Sequence, residues 1–163
     1  MAGVTPAAIA VRRAPADFAD WGKVRVLVYD AFAYMQGRID PPSSALRMTA
    51  ASLAADAAAG ALLVAECAGE LVGCAFVRPK GDALYVARLA VRPDLQGRGV
   101  GRALMAAARD EARSRGLAVL ELQTRIELVE NHAAFGRLGF VKVAETAHPG
   151  FARSTSITMR ATV

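Results

Sequence analysis

Apolar and polar positions along this chain change period several times, and each change marks an element. Phe18, Trp21, Val24 and Val28 recur at helical spacing, which predicts a helix with Asp17 as its cap. Before it, Ile9 to Arg13 reads as a short strand. Gly37 to Ser44, with Pro41-Pro42, predicts loop, and the alanine-rich stretch Thr49 to Ala59 predicts a helix stopped by Gly60. The period then shortens. Ala61 to Cys67 and Leu71 to Val77 are apolar runs around a Gly69 turn, and Ala83 to Val91 is a third run after the turn Arg78-Pro79-Lys80-Gly81-Asp82. Gly99 to Arg115 returns to helical period, with Glu111 four residues before Arg115 and Gly116 as its stop. Leu117 to Thr124 predicts a strand and Glu130 to Leu138 a helix ended by Gly139; Phe140 to Ala144 and Ser156 to Arg160 predict the last two strands. The order β-α-α-β-β-β-α-β-α-β-β is that of an α/β chain with helices on both faces of one sheet.

Composition narrows the class. The chain has 163 residues, of which 54% are hydrophobic and 21% charged, enough for one packed core and too few residues for a second domain. We therefore expect a single domain over residues 1–163, its core from about 9 to 161. No apolar run approaches the ~18 residues of a membrane span, and Met1 to Ala10 lacks the basic and apolar pattern of a secretion signal. The net charge is +5, mostly arginine scattered from Arg12 to Arg160. Clustered charge with interleaved aromatics is missing, so nucleic acid is not an expected partner, whereas a small polyanion suits the balance. A turn at Ala68-Gly69 would pair Cys67 with Glu70 and Cys74 with Leu63, too far apart for a disulfide. Two reduced cysteines predict a cytoplasmic protein. With two histidines and no ligand spacing, no metal is expected.

The segment with chemical content is Gln96-Gly97-Arg98-Gly99-Val100-Gly101, between a strand and a long helix. Glycines let the backbone approach a ligand, and the helix start aims unpaired N–H groups and a positive dipole end at the same place. That is an anion site suited to a pyrophosphate, with Arg98 and Arg102 adding charge. A Walker A loop would end in Gly-Lys-Ser/Thr, where this chain has Gly-Arg-Ala. A Rossmann fingerprint would put its third glycine where Arg102 stands. Gln/Arg-x-x-Gly-x-Gly/Ala is matched by Gln96, Gly99 and Gly101. A glycine-rich turn that only starts a helix is the plain alternative.

With its flanks, Leu89-Ala90-Val91-Arg92-Pro93-Asp94-Leu95 before that turn and Asn131-His132-Ala133-Ala134-Phe135-Gly136-Arg137-Leu138-Gly139-Phe140 later, the chain resembles the GNAT acetyltransferase superfamily over nearly its whole length. The resemblance implies a mixed, mostly antiparallel sheet, splayed between the Ala83 and Leu117 strands. It implies an N-acetyltransferase that moves the acetyl group of acetyl-CoA to an amine by direct attack in a ternary complex. Backbone groups of Leu89, Ala90 and Val91 would meet the pantetheine arm. Gln96, Gly97, Arg98, Gly99, Val100, Gly101 and Arg102 would hold the pyrophosphate, and Asn131 and Phe135 would touch the cofactor further along. The Val91 N–H would stabilise the oxyanion.

The match is incomplete at the chemistry. Phe135 stands where many relatives have a tyrosine that protonates the leaving thiolate, so either another group supplies that proton or, the favoured reading, the thiolate leaves unassisted. Tyr85 and Gln123 stand where relatives carry a basic glutamate; Glu121, on the same strand face as Gln123, reads as an ion-pair partner of an arginine. His132 reads as a solvated surface residue. His148, in the loop Ala147-His148-Pro149-Gly150-Phe151, is a candidate to touch the acceptor or relay a proton. Tyr29, Tyr34, Arg38 and Asp40 fall in the region expected to form the acceptor pocket, with Tyr34 and Arg38 the better candidates. The acceptor is a small-molecule or peptide amine, with no nucleic acid and no membrane, on a monomer or homodimer. The competing reading is a non-catalytic, acyl-CoA-sensing module of the same fold, for which the missing tyrosine and glutamate speak.

Overall fold

A computed structural model describes residues 8–163. Most of the stretch Met1 to Ala10 lies outside them, so the expectation about a signal there is not addressed. In chain order the elements are β1 Ile9–Arg13, α1 Trp21–Phe32, α2 Ala50–Ala58, β2 Ala61–Cys67, β3 Glu70–Lys80, β4 Ala83–Val91, α3 Val100–Ser114, β5 Val119–Arg125, α4 Val129–Arg137, β6 Val141–Thr146 and β7 Ser156–Thr162. Short 3-10 turns lie at Ala33–Met35, Ser44–Arg47 and Pro93–Leu95. The strands form one seven-stranded sheet in the order β1-β2-β3-β4-β5-β7-β6. Among the described residues only β4 and β5 run parallel. The architecture is the mixed, mostly antiparallel sheet expected.

Both faces of the sheet are covered, which is why its inner strands read as continuous apolar runs. Alternate residues of β2 divide between the two cores: Leu63 and Ala65 face α3, while Leu62 and Val64 face α1 and α2. On α3, Leu104, Met105, Ala108 and Ala112 recur three or four residues apart and are fully buried against the sheet. Each large apolar side chain buried this way contributes roughly 1.5–3 kcal/mol. Gly73 allows α3 its close approach: a Cβ there would lie 2.8 Å from Val100 Cγ1 and 3.1 Å from Leu104 Cδ1.

Three details depart from the sequence reading. The first helix is capped at Asp20, not Asp17. The Phe18 N–H donates to the Pro15 carbonyl in a turn before the helix, and the Phe18 ring sits edge-on to Trp21 at 5.0 Å. Cys74 pairs with Val64 rather than Leu63, because a bulge beside Ala65 shifts the register; Cys67 does face Glu70. No disulfide joins the two thiols, and burial pushes that of Cys74 up to about 12. Finally, β3 continues through Pro79 to Lys80, and the turn is only Gly81-Asp82. Beyond Val77, β3 has no β2 partner, so Pro79 withholds a donor where the ladder needs none.

The feature that positions the site is the β4–β5 pairing. It runs only from Ala83↔Val119 to Tyr85↔Glu121. Past Tyr85 the strands part, β5 staying with β7 along its whole length while β4 stays with β3.

Candidate active site

The parting opens a cleft of about 1010 Å³, floored by the separated strands and walled by α3, α4 and the segment after α1. Its geometry starts in β4. Arg88 has φ 47°, and the register between β3 and β4 shifts there, so β4 bulges at Arg88-Leu89. Beyond the bulge Gly73 faces Val91, and the Arg92 N–H donates to the Val72 carbonyl at 2.8 Å. In an antiparallel ladder that pattern makes Gly73–Val91 a non-hydrogen-bonded pair. The Val91 N–H and C=O therefore point away from β3, into the splay. The Val91 carbonyl receives the Gln96 side-chain amide at 3.3 Å.

The chain then turns through Gly97 and Gly99, both at positive φ. Gly99, at φ 88°, is the residue before α3, a left-handed conformation that costs glycine little. A Cβ at either glycine would meet nothing within 4 Å, and one at Gly101 only Val91 Cγ2 at 3.9 Å. The first amides of α3 are thus presented on an open surface at the cleft, with the positive end of a fifteen-residue helix behind them.

The predicted donor-site residues divide by what they present. Leu89, Val91, Gln96, Gly101, Arg102 and Phe135 line the cleft. Gly97 and Gly99 form the exposed turn at its mouth, with Arg98 exposed beside Asp94. The side chains of Val100 and Ala90 do the opposite of what their place in the motif suggests. Both are 1% exposed and belong to the two cores, so neither offers the cleft more than backbone. Phe135 is half-buried, edge-on to Phe140 with ring centroids 6.0 Å apart.

The opposite end is built from side chains. Asn131 lines the cleft and donates to Tyr34 Oη at 2.9 Å, which joins α4 to the segment after α1. Burial raises the Tyr34 hydroxyl above its ordinary pKa, so it stays protonated. Arg38 is not in the cleft: it pairs with Glu130 at 2.6 Å and holds that carboxylate in the wall. Tyr29 opens on a smaller neighbouring hollow. Tyr85 and Gln123 line the cleft, and burial raises the Tyr85 hydroxyl too. Glu121 is the ion-pair partner expected, with Arg160 Nε at 3.2 Å and Lys80 Nζ at 2.8 Å.

The histidines separate. His132 is half-buried and fixed by a 2.9 Å contact between Nε2 and the Arg125 carbonyl, which corrects its reading as a solvated residue. His148 lines the cleft, with Nδ1 2.5 Å from Thr155 Oγ1. Burial, then the nearby Arg125 charge, lowers its pKa, so it is neutral at pH 7. Pattern reading missed four arginines that line the same space, Arg47, Arg78, Arg88 and Arg125, along with the carboxylates of Asp56 and Glu130. No local motif marks them, because they lie on separate elements that meet only in the folded chain.

The family model for the acetyltransferase (GNAT) family matches residues 28–140. The chain is 34% identical over 136 residues to an aminoglycoside N(6')-acetyltransferase type 1 of Stenotrophomonas maltophilia, covering 77% of this chain and 81% of that one. Its fold is similar to a PaiA N-acetyltransferase of Thermoplasma acidophilum solved in complex with coenzyme A, with TM-score 0.77, 14% identity, and 96% and 99% of the two chains covered. It is also similar to the ribosomal-protein-S18-alanine N-acetyltransferase of Escherichia coli, with TM-score 0.71, 20% identity, and 95% and 94% covered.

Proposed function

This chain belongs to the acetyltransferase (GNAT) family, and from that premise we propose how its cleft transfers an acetyl group from acetyl-CoA to a small-molecule amine. The transfer itself, with acetyl-CoA as co-substrate, follows from the family; the assignment of residues rests on the splay beside the Gly97–Gly101 turn. That juxtaposition carries the reading, because it puts an unpaired strand edge and a helix start on one surface.

The amides of Gly97 to Gly101, with Arg102, hold the pyrophosphate. The pantetheine arm runs into the splay along Leu89 and Val91, where the Val91 N–H hydrogen-bonds the thioester oxygen. As the amine attacks the carbonyl carbon, negative charge grows on that oxygen, and an N–H already fixed in place stabilises it without the reorganisation that solvent needs. Expulsion of the thiolate then completes the amide bond. Phe135 cannot donate a proton, so the thiolate leaves as the anion. His148, neutral at pH 7, is suited to receive the proton lost by the amine. The small-molecule relative from Stenotrophomonas supports a small acceptor over a protein one.

The test is a mixture of the protein, acetyl-CoA and a panel of amines, followed by free-thiol release. Release that depends on an amine is expected. Acetyl-CoA binding with no amine-dependent release across a broad panel contradicts transfer and favours a sensing module.

A further inference from the structure

The outward-facing N–H of Val91 traces to one irregularity in β4. From Lys80↔Ala83 to Phe76↔Ala87, β3 and β4 pair one residue for one. Continued unbroken, that register would set Val91 opposite Val72. The Val72 carbonyl points at β4 and takes the N–H of the residue that stands opposite: in the folded chain Arg92 donates to it at 2.8 Å. In the unbroken register Val91 would fill that place, and its N–H would be used inside the sheet. The extra residue at Arg88-Leu89 moves every later pair by one, to Cys74↔Ala90 and Gly73↔Val91. A shift of one residue reverses the direction of each backbone group, and so turns the Val91 N–H towards the splay.

The bulge is not made by a residue that adopts it easily. Among the described residues other than glycine, only Ala68, in the Gly69 turn, and Arg88, inside a strand, have positive φ. Glycine or asparagine would take φ 47° with less strain. A long side chain stays in such a conformation where its surroundings fix it. Here three contacts converge. The Arg88 guanidinium pairs with Asp56 of α2 and lies over the Phe76 ring, 5.9 Å from the centroid. The Arg88 carbonyl receives the Cys74 thiol at 3.9 Å. Cys74 and Phe76 are the β3 residues on either side of the bulge, and both are buried.

Asp56 makes its contact against the preference of its own helix. It lies in the last turn of α2, where the negative end of the dipole disfavours a carboxylate, and that turn holds no basic residue. Arg88 brings the positive charge from β4 instead. Both side chains line the cleft, so the pair belongs to the wall of the site.

Building on the transferase reading above, we propose that Arg88 is a positioning residue for the transfer: clamped by Asp56, it holds the bulge that frees the Val91 N–H for the thioester oxygen. The glycine turn lies beyond the bulge and is held separately, with Val100 and Leu104 closed against Gly73. Loss of the clamp therefore loosens the oxyanion contact and leaves the grip on the pyrophosphate in place.

Arg88→Gln and Asp56→Asn remove the clamp from either side, the second without touching β4. With the full chain and the best-used amine of the panel above, each lowers kcat about tenfold or more, while the calorimetric Kd for CoA stays within about twofold. The double variant falls no further than either single one, because both break the same contact. Arg88→Lys keeps the charge and recovers part of the rate. Amide NMR gives a signature that needs no amine. In the unsubstituted chain the Val91 amide proton moves downfield with acetyl-CoA relative to CoA, and in both single variants that difference shrinks. Variants that unfold at lower denaturant yet keep kcat and the Val91 signature overturn the positioning role and make the pair a plain tie between α2 and the sheet. Weakened CoA binding with kcat unchanged at saturation overturns it too. Either result leaves the acetyltransferase standing. No amine-dependent release by the unsubstituted chain, with acetyl-CoA bound, overturns both.

Discussion

In the proposed reading, recognition at the donor end of the cleft is made of backbone and at the acceptor end of side chains. The donor surface comes from one continuous stretch, β4, the Gly97–Gly101 turn and the start of α3. It is held in place by packing, with Val100 and Leu104 closed against Gly73. The acceptor surface gathers Tyr34, Arg47, Arg78, Arg125 and His148 from five separated segments. It is held by polar contacts such as Asn131 to Tyr34 and Arg125 to Pro42. A backbone site tolerates wide side-chain change as long as its glycines stay, so one donor suits a whole family. A side-chain site is redrawn by single substitutions, which lets the acceptor differ among close relatives.

Substitutions in each region should therefore fail in different ways. The largest effect is expected from Gly101→Glu, which puts a negative side chain into open space where the pyrophosphate would lie. Acetyl-CoA affinity by calorimetry should fall well beyond tenfold, or ~1.4 kcal/mol, with an unchanged circular dichroism spectrum. Unchanged affinity in a folded variant would remove the phosphate from this turn. Gly73→Ala tests whether packing sets the donor end: its Cβ must displace Val100. It should cost about 1–3 kcal/mol in denaturant unfolding, and acetyl-CoA affinity should weaken with it. If stability falls and affinity does not, the turn is set by its own backbone alone.

Phe135→Tyr should change less, because it adds one hydroxyl to a ring already facing the cleft. Turnover should be equal or faster, with CoA affinity little altered, since the thiolate gains a proton source. No change in rate at any pH would place Phe135 away from the sulfur. The smallest effect is a pH dependence. His148 has its folded pKa depressed below the unfolded value by burial and Arg125. The unfolded chain then binds the proton more readily, so this residue's share of stability is complete above about pH 6.5 and is lost as pH falls through the folded pKa. Stability curves of the native chain and His148→Gln should converge below that range. Parallel curves would mean that His148 is solvated.

The same contrast explains what could be read before the fold was known. The order of elements, the strand bounds of β1, β2 and β4, and the Gly-rich helix start were legible because each depends on neighbours in sequence. The register of Cys74 was not, since one bulge beside Ala65 moves every later pair and leaves no local trace. Nor was the end of β3, where Pro79 is tolerated only because β2 has stopped. At the site, Tyr34 could be found from its place before a loop, but its companion Arg38 proved to be spent on Glu130. Arg47, Arg78 and Arg125 look like any solvated arginine in a basic chain. Their meeting in one cleft is a property of topology, and only the fold displays it.

In the proposed site, acetyl-CoA is held by the backbone of the splay. Amide hydrogen exchange with and without acetyl-CoA measures that without any mutation. Slowed exchange is expected at Val91 and across Gly97 to Gly101, with little change at the exposed amides of β6 on the far edge of the sheet. Protection that appears elsewhere and leaves Val91 and the glycine turn unaltered, in protein that binds acetyl-CoA, would contradict it.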